Sequence, residues 1–157
     1  MGYTLAQASI FITLVIAAQL CGVMLGWLIG DRWDKRYVAG MCMFGHMIGL
    51  LLLTYAVNVY MLVGFAVMHG CAWGLRGPFM QALRADYFGR REIGMIMGIS
   101  SMVIVIGSVG GPLLAGGLAD LMGNYQLGFT VIALMAGTGS LFFFLMKSPA
   151  AMARGHA

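Results

Sequence analysis

The sequence predicts an all-α membrane protein with five transmembrane helices. Three observations carry that reading. Of 157 residues, 61% are hydrophobic and only 9% are Asp, Glu, Lys or Arg. The apolar residues gather into five runs, each long enough to cross a bilayer, and the basic residues fall in the short stretches between them. An ordinary soluble domain carries about 25% charged residues because its exterior must meet water. A chain with so few has its exterior in hydrocarbon, where a helix satisfies its backbone groups internally. The net charge of +4 therefore reads as membrane topology and not as a nucleic-acid footprint.

A core of about 30 Å at about 1.5 Å per residue needs about 20 apolar residues in a helix. The first such run is 8–29. No basic residue precedes it, and it exceeds the ~7–15 residues of a signal-peptide core, so it is expected to remain in the mature protein. Ala6 stands where a myristoylation signal needs Ser or Thr, so no lipid anchor is implied. The second span is 37–56, the third 59–83, the fourth 93–118 and the fifth 127–146, with a polar tail at 147–157. Links at 30–36, 57–58, 84–92 and 119–126 are short. Neighbouring helices must then run antiparallel, and residues 1–157 form a single transmembrane bundle.

Charge sets the expected orientation. Arg32, Lys35 and Arg36 lie in the first link, Arg84, Arg90 and Arg91 in the third, and Lys147 and Arg154 in the tail, all on one side. The opposite side has no Lys or Arg. The loaded side is expected to be cytoplasmic, with the N-terminus outside and the C-terminus inside a plasma or bacterial inner membrane.

The fourth span carries a small-residue spine, Gly94 and Gly98, then Gly107, Gly111 and Ala115, each four apart and hence on one face. Pro112 removes a backbone donor in mid-helix. This helix is therefore expected to pack inside a bundle, with Gly107, Gly111 and Pro112 allowing close approach and bending. The third span repeats the pattern with Gly70, Gly74 and Gly77 ahead of Pro78.

Polar groups within the spans are few. Arg76 is a cation inside the third span, expected either to contact an anionic solute or to reach toward headgroups. His46 and His69 lie at similar depth on antiparallel helices, and together with Gln19 they are candidates for a polar solute path. Cys21, Cys42 and Cys71 sit in apolar runs without a CxxC spacing and read as small core residues. No P-loop, HExxH or paired mid-span carboxylate is present, so neither catalysis nor a metal or cofactor is expected. A second class of function, a non-transporting membrane subunit or haem-binding redox anchor, would use His46 and His69 as axial ligands.

Leu28-Ile29-Gly30-Asp31-Arg32-Trp33-Asp34-Lys35-Arg36 joins two spans on the basic side. It resembles the GxLxDRxGRR signature of the major facilitator superfamily, found in the cytoplasmic loop after the second helix of each six-helix half. Trp27 replaces the first glycine and Asp34 the second. The stretches 77–91 and 111–125 are similar to the tenth and eleventh family helices, with phrasing nearest the monocarboxylate and oxalate/formate porter branch. The resemblance covers nearly the whole chain, placing its spans as helices eight to twelve. It implies a secondary transporter of a small organic solute, an organic anion in that branch, with Asp31, Arg32, Lys35 and Arg36 forming a cytoplasmic latch. It also implies incompleteness, since five helices are less than one half of such a transporter. The expected partners are the lipid bilayer, a small-molecule substrate and the missing N-terminal helices; the chain is then a fragment or a subunit.

Overall fold

The computed structural model describes residues 4–89 and 91–148. Arg90 and the tail from residue 149 on, Arg154 included, lie outside these. The described residues form five helices: α1 (Leu5–Ile29), α2 (Lys35–Thr54), α3 (Val59–Phe88), α4 (Ile93–Met122) and α5 (Gln126–Leu145). Each is long and apolar enough to cross a membrane.

Local chemistry sets the helix ends. Thr4 and Gln7 form a reciprocal capping box on α1, Asp34 caps α2 through the Arg36 amide, and Asn58 caps α3 through the Met61 amide. The third and fourth helices run five and four residues further than their apolar cores, to Phe88 and Met122. Hydropathy ends where charge begins, but Arg84, Ala85 and Asp86 can remain helical. The turn waits for Gly89, whose φ of 75° a residue with a Cβ would resist. At about 1.5 Å per residue the 30 residues of α3 reach about 45 Å, so its last turns stand clear of the hydrocarbon core.

The centre of the bundle is α3, with α1 on one side and α2 on the other; α5 packs against α2, and α4 is held mainly by α5. The α1–α3 contact is nearly backbone on backbone. Ala18, Gly22 and Gly26 form the buried stripe of α1, four residues apart; Ala18 meets Gly70 of α3, Gly22 meets Cys71, and Gly26 faces Leu75 and Phe79. A Cβ added at Gly22 would collide with the Cys71 carbonyl, one at Gly70 with the Val15 carbonyl, and one at Gly74 with the Gln19 carbonyl. In lipid such small-residue stripes are what let helices gain contact, since side-chain burial away from water contributes nothing. Between α2 and α5, buried Ser140 donates its hydroxyl to the Gly40 carbonyl at 2.8 Å.

The spine on α4 behaves otherwise. Gly94, Gly98, Gly107 and Gly111 have open space where a Cβ would point, and only Ala115 and Ala119 of that helix are buried. Their expected packing partner is absent among the described residues, because α5 meets α4 only toward its C-terminal end, where Gly128 lies against Ala115. The helix runs unbroken through Pro112, as α3 does through Pro78.

Candidate functional site

Phe65, His69 and Trp73 recur every four residues on α3 and so share one face. That face meets α2, where Cys42, His46 and Gly49 are buried. Gly49 is what allows the approach: a Cβ there would stand 3.1 Å from the His69 Cβ. The two imidazoles consequently meet edge to face, with ring centres 4.5 Å apart and Nδ1 atoms 3.2 Å apart. Such a contact needs one ring to carry Nδ1–H and the other to present an Nδ1 lone pair, hence the opposite tautomer.

Trp73 touches both rings, with centroids 5.8 Å from His46 and 5.9 Å from His69. The Arg76 guanidinium lies over the same indole, 5.2 Å from its centre, a cation–π contact. Arg76 pairs with no carboxylate among the described residues. His46 is 6% exposed, yet its Nε2, like Arg76 Nε, is buried without a hydrogen-bond partner. Two orphaned polar atoms in one apolar neighbourhood are costly unless a water or ligand satisfies them.

His69 also faces a cavity of about 500 Å³ between α1, α2 and α3, lined by Phe11, Val15, Leu53, Leu62 and Phe65. Among the described residues of the lining it is the one polar side chain. Ligand sites combine apolar walls with few polar groups in this way. Gln19, also expected on the solute path, contributes its backbone carbonyl to the Gly74 contact, and no hydrogen bond joins its side chain to the histidines.

As placed, the two rings leave no room for a metal between their Nδ1 atoms, which are hydrogen-bonded to each other at 3.2 Å.

At the basic end, Lys35 Nζ spans Asp31 at 3.1 Å and Asp86 at 2.8 Å, tying the start of α2 to the end of α3. Arg36 Nε bonds Asp34 Oδ1 at 3.0 Å, and its guanidinium also donates to the Met146 carbonyl beyond α5. The Arg36 hydrogen bond holds the Asp34 carboxyl below its usual range. Tyr87 donates its hydroxyl to the Lys147 carbonyl. Of the expected latch residues, Lys35 and Arg36 make contacts between helices. Asp31 reaches only Lys35, four residues along, and Arg32, in the link, donates to the Leu28 carbonyl at the end of α1 at 3.3 Å. Asp86 and Tyr87 were not singled out from sequence. The available signal was an acidic residue and a phenol in a basic link, which hydropathy assigns to a loop.

A model of the Major Facilitator Superfamily matches residues 1–156. Among similar curated proteins, a multidrug resistance protein B homolog of Mycobacterium tuberculosis is 28% identical over 86% of this chain and 24% of its own length. A glucose-6-phosphate exchanger of Bos taurus is 28% identical over 85% of this chain and 28% of its own. Sugar phosphate exchanger 3 of Mus musculus is 26% identical over 91% of this chain and 31% of its own. The chain thus spans 24–31% of the length of these relatives. No solved structure matches.

Proposed function

This chain belongs to the Major Facilitator Superfamily, and from that premise we propose that it forms the last five helices of a secondary transporter for a small organic anion. The observation that carries the reading is Arg76, a guanidinium inside a membrane-spanning helix with no carboxylate partner and an orphaned Nε. A charge at that depth is costly, and a solute that neutralises it offsets the cost. His46 and His69 add hydrogen-bonding groups, and the apolar cavity beside His69 has room for a carbon skeleton.

The names of two relatives, a glucose-6-phosphate exchanger and a sugar phosphate exchanger, support an anionic solute. The resemblance of 77–91 and 111–125 to the monocarboxylate and oxalate/formate porter branch supports a carboxylate. A guanidinium suits both, because its planar donors match carboxylate and phosphate oxygens. The basic end is cytoplasmic in this reading. Lys35, Asp86 and Arg36 latch the ends of α2, α3 and α5 there, with Asp31 supporting Lys35. The open spine of α4, with Gly107, Gly111 and Pro112, meets the N-terminal helices of the complete transporter.

The test is solute flux into vesicles holding the complete transporter, with glucose 6-phosphate and benzoate as anionic probes and glucose as the neutral control. Arg76→Gln should lower anion flux at least about 100-fold, the ~3 kcal/mol of a lost charged hydrogen bond, while the protein still inserts. Unchanged flux of every anion that the wild type carries would remove Arg76 from the solute path.

A further inference from the structure

The polar cluster contains three groups able to hold positive charge, His46, His69 and Arg76, and nothing that balances it. All five Asp and Glu residues of the chain lie at or near helix ends: Asp31, Asp34, Asp86 and Glu92 at the basic end and Asp120 at the other. Of the other helices, α5 has no ionisable side chain, α1 has only Cys21 and α4 only Asp120. On α2 and α3 the neighbours are Cys42 and Arg76. An imidazolium formed here would therefore stand near a guanidinium without a counter-ion.

We propose that His46 and His69 are a proton-binding pair that becomes charged only together with an anionic ligand held at Arg76, so that proton and anion bind as a unit. The ring donating Nδ1–H has a free lone pair on its Nε2. A hydronium ion transfers its proton there: one O–H bond breaks, one N–H bond forms, and a water molecule is left. The Nδ1–H···Nδ1 bond is kept and becomes charge-assisted. The anion supplies the negative charge that the chain lacks, and by linkage each ligand raises the affinity for the other by the same factor. For its biological use this rests on the transport reading; its chemistry does not.

The experiment takes the complete transporter in lipid nanodiscs, with histidine labelled in ¹⁵N and benzoate as probe, since a carboxylate stays ionised across the range in which imidazole titrates. Benzoate affinity should be about tenfold tighter at about pH 6 than at about pH 8, and imidazolium signals from the pair should rise as benzoate saturates. His69→Gln, with His46→Asn as second variant, should flatten the pH dependence. Arg76→Gln should let the pair take up its proton without benzoate. Pair signals indifferent both to benzoate and to Arg76→Gln, or benzoate binding equal at the two pH values, would overturn the proposal. Anion flux that needs Arg76 but ignores pH would remove the proton pair and leave the transport reading. A linked proton and benzoate site without flux would do the reverse.

Discussion

The stripe on α1 and α3 and the spine on α4 are made of the same residues at the same spacing, yet one is closed to a backbone contact and the other is open. Gly22, Gly70 and Gly74 leave no room for a methyl group, whereas Gly94, Gly98, Gly107 and Gly111 meet nothing. Small residues every fourth position therefore mark a face that can be approached, and a second helix decides whether it is. In this chain α3 has α1 as that partner. In the proposed reading the partner of α4 lies outside the chain, and the relatives are three to four times its length.

The largest effect that separates the two faces comes from adding bulk. Gly74→Leu drives a side chain into the Gln19 carbonyl and should cost at least about 3 kcal/mol, read as loss of the folded monomer in detergent or a steep fall in melting temperature. Gly107→Leu in the same chain should stay within about 0.5 kcal/mol of wild type. Equal destabilisation by the two would break the comparison.

A smaller effect is expected at the basic end. Removing the Lys35–Asp86 pair with Lys35→Met or Asp86→Asn should cost at most about 1 kcal/mol, because both groups keep contact with water. The double variant should cost less than the sum of the singles. In the complete transporter the same substitutions should alter the balance of inward- and outward-open states more than they alter stability, read by accessibility labelling from each side.

Hydropathy and charge made the five spans, their order and their antiparallel course legible in the sequence, because length and composition alone decide which segments lipid accepts. The far ends of α3 and α4 were not legible, since a helix continues past its apolar core until a glycine such as Gly89 stops it. His46 and His69 were visible as mid-span polar groups, but their direct bond depends on Gly49, a small residue one turn away whose role appears only when two helices are laid together. Lys35 and Arg36 were singled out through the motif, and the inter-helix partner of Lys35, Asp86, was missed because a charged residue at a span end looks like loop. The α1–α3 stripe was missed on its α1 side: Ala18, Gly22 and Gly26 are diluted in an otherwise uniform apolar run, while the denser glycines of the fourth span drew the packing expectation.

If these five helices share their solute path with further helices, those helices pack on the open face of α4 and cover Gly107. Gly107→Leu is compared by thermal unfolding in the isolated chain and in the complete transporter. A change within about 0.5 kcal/mol is expected in the isolated chain and a loss of about 2 kcal/mol in the complete protein. Equal effects in the two would contradict a shared path.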